Sequence, residues 1–288
     1  MNILMIHNTK SGPKSDTKYV YDLKTKLKEK GNTKFIEVSN VQSMYEVVSL
    51  IPENDLIIII AGDGTVSYFS NYLIEYDKPV LVIPNGSGND FSKSIGASVN
   101  IEEILKIVEK FDIFKTSTML INEKERRLTI ACFGFEARVN RLANKLPRAF
   151  GKYKYSIATV LSLFGRHYET LKIESDSFFE EGEYSLAIIA NTPSFGGGLM
   201  ISNKASALDD KLYLILVNRV NKFKLIYLFL LLILRKHYSR PEFREFVTKE
   251  IKVDSIKGVL RSQADGESLP EGPVVIKIEP QSLKVLLV

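Results

Sequence analysis

The stretch Asp55-Leu-Ile-Ile-Ile-Ile-Ala-Gly-Asp-Gly-Thr65 decides the fold of this chain. Its apolar first half predicts a buried strand, and a helix-like segment follows its glycine-rich second half. Gly62 and Gly64 allow the backbone to approach a ligand closely, and a helix N-terminus at such a loop can bind a phosphate. The Asp63 carboxylate could serve a metal bound to nucleotide phosphates. The unit suggests phosphoryl transfer, with a tight turn after a core strand as the alternative.

A second glycine-rich loop follows the next predicted strand, at residues 79–83. It reads Pro84-Asn-Gly-Ser-Gly-Asn-Asp-Phe91 and leads into a predicted helix over residues 91–95. In open parallel sheets, ligands bind outside the carboxyl ends of the strands. We therefore expect both loops to face one crevice, where Asn8-Thr-Lys-Ser-Gly12 and Ser39 would add polar groups.

The order of the predicted elements indicates two domains. In the first part, predicted strands at 2–6, 34–38, 55–60 and 79–83 alternate with predicted helices at 17–30, 42–50, 66–75 and 101–110. After residue 112, strands are predicted at 127–133, 168–174, 184–190, 212–217, 247–253, 256–261, 273–278 and 283–287, with helices at 136–146, 152–165 and 222–236. Alternation predicts a parallel α/β domain over residues 1–115. Residues 116–288 are expected to form a mostly antiparallel β domain, whose last strands could return to the first.

Composition and charge restrict the compartment and the partners. The chain of 288 residues has a single cysteine, Cys132, which excludes an internal disulfide and fits a reducing cytoplasm; we see no signal peptide. Residues 219–257 carry ten Lys and Arg against four Asp and Glu, and residues 138–154 carry six against none. Within the first of these basic segments, the apolar run 225–234 is too short to span a bilayer. The cations beside this run favour peripheral binding to an anionic membrane surface. The alternative interpretation is that both basic segments are solvated helix faces. No nucleic-acid recognition module is evident.

Three further loops carry candidate chemistry. Residues 191–198 end in three consecutive glycines, which suit close backbone approach to a ligand or a plain flexible turn. The pair Asp209-Asp210 suits Mg2+ or Ca2+, although a solvated turn is the commoner fate of such a pair. Glu267, in Asp265-Gly-Glu267, could be a general base on a hydroxyl nucleophile or a turn residue. The chain has no P-loop motif and no protein-kinase motifs.

Taken in order, these motifs resemble the diacylglycerol kinase catalytic-domain family, in particular its soluble bacterial lipid kinases. The resemblance runs over nearly the whole chain. It rests on Asn8-x-x-Ser-Gly12, Gly62-Asp-Gly-Thr65, Pro84-x-Gly-Ser-x-Asn-Asp-Phe91, Phe133-Gly-Phe-Glu-Ala137, Gly151-Lys-x-x-Tyr155, Phe195-Gly-Gly-Gly198, Asp209-Asp210 and Asp265-Gly-Glu267. It implies an N-terminal α/β nucleotide-binding domain, of the kind shared with NAD kinases, and a C-terminal β-sandwich-like domain.

The resemblance also implies roles for particular residues, with ATP and Mg2+ as cofactors and a lipid alcohol as substrate. The residues that would contact ATP are Asn8, Ser11, Ser39, Gly62, Asp63, Gly64, Thr65 and Ser87. Asp63, Asp90 and Asp112 would organise the catalytic Mg2+ through waters, and Glu267 would accept the proton of the lipid hydroxyl. A structural Mg2+ would be held by Asp210 and the carbonyl groups of Ala207 and Leu212.

Some positions depart from the family pattern. The family usually has Gly at position 61, Glu at 68, Gly at 72 and Gly at 211, where this chain has Ala61, Tyr68, Tyr72 and Lys211. The four acids of the catalytic set are present, so we expect an active enzyme. An NAD kinase-like enzyme and a catalytically silent lipid- or nucleotide-binding regulator remain as alternatives. The acceptor lipid stays open, as does the oligomeric state, for which a homodimer is the commonest assembly.

Overall fold

A computed structural model describes residues 1–12, 17–134, 142 and 168–287. The strands are β1 (Asn2–Asn8), β2 (Asn32–Val38), β3 (Leu56–Ala61), β4 (Val80–Pro84), β5 (Ile113–Ile121), β6 (Glu125–Arg127), β7 (Ile130–Phe133), β8 (Glu169–Ser175), β9 (Phe179–Ala190), β10 (Ser194–Phe195), β11 (Leu199–Met200), β12 (Leu212–Asn218), β13 (Phe243–Thr248), β14 (Glu250–Ser255), β15 (Ser262–Ala264), β16 (Glu267–Ser268) and β17 (Val274–Leu286). The helices are α1 (Thr17–Lys28), α2 (Val41–Val48), α3 (Asp63–Glu75), α4 (Asp90–Ser94), α5 (Ile101–Lys110) and α6 (Lys222–Ile233), with a 3-10 turn at Ile51–Glu53.

The chain divides into two compact units, and the first comprises Met1–Thr118 and Glu279–Val288. Its sheet has the order β2-β1-β3-β4, followed by the end of β17, where Val285 lies opposite Val80. These pairings are all parallel. The carboxyl ends of β1 to β4 therefore lie at one edge of the sheet, and so do the loops that follow them.

The first unit is held together by a sheet that is apolar on both faces. All six residues of β3 are buried, as expected for a central parallel strand covered by helices on both sides. Among the helices, α5 is capped by Asn100, whose side chain accepts hydrogen bonds from the amides of Glu102 and Glu103. Its buried residues Ile104 and Val108 are four positions apart and join the core formed by β1, β3 and β4.

The second unit, Met119–Ile278, is built from antiparallel strands. The long strand β9 organises it, because its first half pairs with β8 and its second half lies between β7 and β12. Strand β8 continues the sheet through β14 to the first half of β17. One face of these strands forms an apolar core, and α6 packs on two further apolar clusters through Leu228, Leu231 and Leu232. Within the described residues, no helix is both long and apolar enough to cross a membrane.

Several predicted elements differ from the structure. Helix α3 begins at Asp63 rather than at residue 66, since Gly62 takes the extended capping conformation and an acid is favourable in a first turn. The strand predicted over residues 256–261 is wrong: a bend occupies this segment, and Gly258 has a φ of +90°. The predicted strand 247–253 is two strands, β13 and β14, whereas 273–278 and 283–287 belong to the single strand β17.

Strand β5 and the short strands β10, β11, β15 and β16 escaped the sequence analysis, and some predictions fall outside the described residues. Strand β5 contains the buried polar run Thr116, Ser117 and Thr118, which gave no apolar signal. Apart from residue 142, the helices predicted over 136–146 and 152–165, the basic segment 138–154 and the motif at 151–155 lie outside the described residues.

Candidate active site

Three loops meet at the carboxyl edge of the parallel sheet, and glycines form their contacts. A Cβ placed on Gly86 would lie 2.6 Å from the Cα of Gly62, so the second and third loops touch through bare backbone. A Cβ on Gly12 would lie 2.4 Å from the carbonyl oxygen of Asn85, and Gly12 has a φ of +73°. Only glycine permits these approaches. The structure thus brings together the loops after β1, β3 and β4.

Side-chain hydrogen bonds fix the same loops. The Asn8 Nδ2 donates to the Thr65 Oγ1 at 2.7 Å, which ties the end of β1 to the first turn of α3. The Asn85 Nδ2 donates to the carbonyl oxygen of Ser11 at 3.4 Å. Beside β2, the Ser39 amide donates to the Ser43 Oγ at 2.9 Å, next to the cap of α2. Asn8, Ser11 and Thr65 therefore belong to one connected cluster.

The Asp63 carboxylate reaches across to the start of α4. Its Oδ2 accepts a hydrogen bond from the Phe91 amide at 3.1 Å, and its Oδ1 accepts one from the Ser92 Oγ at 3.1 Å. Burial raises the pKa of Asp63 and the charge of Asp90 raises it further, whereas the bonds from Phe91 and Ser92 act in the opposite direction. Asp63 and Asp90 are thus electrostatic neighbours, and Asp90 is 5% exposed.

The N-terminus of α3 points its backbone into this cluster. Gly62 is the cap residue, and because it has no side chain it makes no side-chain cap hydrogen bond to the first-turn amides. Gly64 is exposed, and a Cβ there would meet no heavy atom within 4 Å. Backbone N–H groups at the start of a 13-residue helix can bind an anion.

Two other predicted residues of the first unit occupy more open positions. Ser87 is exposed in the loop after β4, and Asp112 is exposed between α5 and β5. The carboxylate pair that the structure brings together is Asp63 with Asp90. The role of Asp112 beside them stays a prediction.

Glu267 begins β16 in the second unit, directly after a turn that Asp265 holds in place. The Asp265 carboxylate accepts hydrogen bonds from the amides of Leu128 at 2.7 Å and Thr129 at 2.9 Å, and from the Thr129 hydroxyl. Asp265 has a φ of +48°, a conformation that Asp tolerates better than most residues. The Glu267 side chain is 64% exposed, and its Oε2 lies 3.3 Å from the Arg127 Nη2. It is therefore open to a substrate and restrained on one side.

The predicted structural metal site has oxygen donors in a tight loop. Ala207 is buried, Asp210 is half-buried, and Leu212 begins β12. The neighbouring Asp209 is used internally: its Oδ2 accepts from the Tyr213 hydroxyl at 2.8 Å. One carboxylate and two carbonyl groups suit a hard cation in donor chemistry. The described residues contain no cluster of three or more His, Cys, Asp or Glu side chains that could hold a metal.

The departures at positions 68 and 72 form a small aromatic group on α3. The ring centroids of Tyr68 and Tyr72 are 5.6 Å apart, and those of Tyr68 and Phe69 are 5.3 Å apart. Burial, together with a hydrogen bond involving Tyr72, raises the pKa of Tyr68 to about 12. A neutral phenol thus stands where the family usually has a carboxylate.

Sequence reasoning missed two residues that position these groups. Arg127 is largely buried, and its Nη2 contacts both Glu125 at 2.7 Å and Glu267 at 3.3 Å. Ser92 supplies the hydroxyl that binds Asp63. Arg127 gave no sequence signal, since it lies 140 positions before Glu267 in an ordinary charged segment. Ser92 could have been noticed, because it directly follows the Asn-Asp-Phe motif.

Two family models match successive parts of this chain. The diacylglycerol kinase catalytic domain model matches residues 2–121, and the model of the YegS C-terminal NAD kinase beta sandwich-like domain matches residues 129–287. A diacylglycerol kinase of Mycobacterium tuberculosis is 29% identical over 239 residues, covering 81% of this chain and 76% of its own. The Escherichia coli protein named probable lipid kinase YegS is 27% identical over 158 residues, 53% of each chain.

A solved structure shows the same fold. A crystal structure of a diacylglycerol kinase from Bacillus anthracis matches with a TM-score of 0.73 at 18% identity, covering 100% of this chain and 97% of its own. The chain therefore belongs to the diacylglycerol kinase catalytic-domain family, with a YegS-type C-terminal domain. It is a kinase enzyme, and the predicted family and fold class are confirmed.

Proposed function

We propose that this enzyme transfers the γ-phosphate of ATP to the hydroxyl group of a lipid such as diacylglycerol. The observation that carries the proposal is the contact of three glycine loops beside the N-terminus of α3, whose cap residue is a glycine. Phosphoryl transfer consists mostly of positioning the phosphates and stabilising their charge, and such a cluster is suited to both. The lipid acceptor follows from the relatives named diacylglycerol kinase and lipid kinase.

In this proposal the predicted domain 1–115 binds the nucleotide. The amides of Gly62 and Gly64, with the hydroxyls of Ser11, Thr65 and Ser87, would hold the phosphates. Asn8 and Ser39 would complete the contacts to the nucleotide. Mg2+ bound with the nucleotide would neutralise charge on the phosphates. Asp63 and Asp90 would hold it through waters, because the Asp63 carboxylate already accepts hydrogen bonds from α4. Asp112 would add a third carboxylate.

The predicted domain 116–288 would supply the base. Glu267 would accept the proton of the lipid hydroxyl as the lipid oxygen attacks the γ-phosphorus, the bond to the bridging oxygen breaks and ADP leaves. Arg127 restrains the Glu267 carboxylate, and the Asp265 network fixes the turn that carries it. Asp210, with the carbonyl groups of Ala207 and Leu212, would hold a structural Mg2+ that stiffens the loop before β12.

The same proposal extends to the place of reaction. A diacylglycerol-like substrate remains in a bilayer, so the enzyme would work peripherally on an anionic membrane surface, in the cytoplasm where ATP is abundant. Lipid phosphorylation there would belong to phospholipid metabolism.

One observation favours a second candidate, a silent regulator: the Tyr68 phenol is neutral at a position where the family usually has a carboxylate.

The test is transfer of labelled γ-phosphate from ATP-Mg2+ to a panel of lipid alcohols in mixed micelles, with NAD as a further acceptor. We expect label in one lipid class. Label in NAD alone would assign the protein to the NAD kinase type of chemistry. ATP binding with no label in any acceptor would favour the silent regulator and contradict the proposal.

A further inference from the structure

Helix α6 carries an apolar stripe on its outward face. The helix is anchored by Leu225, Leu228, Leu231 and Leu232, which are buried. Its other face presents Phe223, Ile226, Tyr227, Leu230 and Ile233, followed by Leu234 just beyond the helix. Phe223 is 85% exposed, Leu230 52% and Leu234 61%. The positions recur every three or four residues, so they form one continuous stripe along the helix. Large apolar side chains exposed in a row mark an interaction surface.

Cations stand at both ends of this stripe. Lys222 and Lys224 lie in the first turn, and Arg235, Lys236 and Arg240 follow the last turn. Only one of these five cations forms an ion pair with an acid of the described residues: the Lys224 Nζ lies 2.6 Å from the Glu242 Oε1. The Arg240 guanidinium and the Lys224 Nζ each lie 5.6 Å from the centroid of the Tyr227 ring, so the charge beyond the last turn comes from Arg235 and Lys236. The surface is therefore an apolar strip between two excesses of positive charge.

We propose that this face of α6 is the surface by which the enzyme inserts into an anionic lipid bilayer. A helix of 12 residues is too short to span a membrane but can lie in its interface with the apolar side down. The cations at its ends would then reach the anionic headgroups. The docking surface deepens the proposed function, because it assigns the membrane contact of the enzyme to one set of residues. Only the expected effect of this surface on lipid turnover rests on the proposed function.

A second copy of the chain fits the same face less well. In a two-fold symmetric pair the same patch meets itself. Since both ends of α6 are cationic, parallel and antiparallel pairings alike would place positive charge opposite positive charge. An anionic bilayer instead complements both ends at once. Charge complementarity thus selects the membrane over a homodimer as the occupant.

The test measures binding of the full-length protein to vesicles without ATP. Vesicles of phosphatidylcholine alone are compared with vesicles that also contain phosphatidylglycerol. The double variant Phe223→Ser/Leu230→Ser removes two exposed side chains, so folding should be preserved. We expect its partition onto the anionic vesicles to fall by about tenfold or more, and that of Lys222→Gln/Lys236→Gln to fall by roughly tenfold.

Matched controls come from the same unit. Phe179→Ser removes another exposed phenylalanine, which is 57% exposed on β9, and Lys124→Gln/Lys249→Gln removes two other exposed lysines. We expect both to bind vesicles like the unmodified protein. Equal loss in the controls, or unchanged binding of Phe223→Ser/Leu230→Ser, would overturn the proposal. So would a dimer in sedimentation velocity that Phe223→Ser/Leu230→Ser dissociates while vesicle binding persists.

Turnover of a short-chain, water-soluble diacylglycerol separates this proposal from the proposed function. We expect Phe223→Ser/Leu230→Ser to phosphorylate it at the unmodified rate and to lose rate on vesicle-embedded lipid. Vesicle binding through α6 by a protein that phosphorylates no lipid would sustain the docking surface and reject lipid kinase activity. Equal rates on embedded lipid for the variant and the unmodified protein would count against the docking surface.

Discussion

At the scale of single residues, the fixed groups around the proposed base are as important as the base itself. Asp265 and Arg127 make no expected contact with a phosphate, yet they define where Glu267 stands. The sequence placed Asp265 and Glu267 in one motif but could not tell which acid is structural. Their burial and partners decide this, because Asp265 binds three amides and Glu267 points outward.

Asp265→Ala should lower the free energy of unfolding by about 2–4 kcal/mol, because it leaves the amides of Leu128 and Thr129 without their charged acceptor. Urea unfolding measures this loss. Glu271→Ala is the matched control, since Glu271 forms an ion pair with Arg261 in which both side chains are about 60% exposed, and we expect a change below about 0.5 kcal/mol. Equal effects in the two variants would refute the structural role of Asp265.

His237 should make stability depend on pH. It is buried, its Nε2 lies 3.2 Å from the carbonyl oxygen of Ile201, and burial lowers its pKa below the usual 6.5. The unfolded chain therefore binds the proton first, and the free energy of unfolding should fall as pH drops from 6.5 through the lowered pKa. The free energy of unfolding of the unmodified protein, relative to that of His237→Phe, should therefore fall as the pH drops over this window. Parallel stability curves would contradict the argument.

At the scale of elements, apolar strands and glycine loops are readable from sequence, whereas polar strands are not. Strand β3 is a run of apolar residues, so its pattern predicted it. Strand β5 was missed because its centre is Thr116, Ser117 and Thr118, which are buried but polar. The Thr118 hydroxyl lies 2.9 Å from that of Ser282, a partner 164 positions away in sequence. A local pattern contains no information about such a distant partner.

The contact between the glycine loops gives a prediction with an internal control. Gly86→Ala should lower the free energy of unfolding by about 2 kcal/mol, because its Cβ would lie 2.6 Å from the Gly62 Cα. Gly64→Ala should be neutral or stabilise by up to about 1 kcal/mol, since it stands in α3 with open space around it. Both are measured by urea unfolding without nucleotide. The reverse order of stabilities would show that the loops do not touch.

At the scale of the whole molecule, the first unit depends on the last residues of the chain. Leu283, Val285 and Leu286 are fully buried and belong with Met1–Thr118. The sequence analysis left open whether the final strands return to the first domain, because an apolar pattern predicts a strand but does not identify the sheet to which that strand belongs.

This dependence can be tested with fragments. Residues 1–118 alone should show no cooperative unfolding, because they lack the strand that covers β4. Residues 1–118 joined to 279–288 by a short Gly-Ser linker should unfold cooperatively, since the Thr118 Oγ1 lies 3.4 Å from the Glu279 Oε2 and the ends are close. Circular dichroism during urea titration reports both. Cooperative unfolding of the shorter fragment would contradict the assignment.

The central claim is that Glu267 is the base of an ATP-dependent lipid kinase, and one comparison tests it most directly. It measures phosphate transfer to the accepted lipid and thermal stabilisation by ATP-Mg2+, for the unmodified protein and for Glu267→Gln. We predict that the variant loses about 100-fold or more in kcat, as expected for removal of a general base. Its stabilisation by ATP should be unchanged, because Glu267 is exposed and lies outside the glycine loops. Lipid phosphorylation by Glu267→Gln at the unmodified rate would contradict the claim.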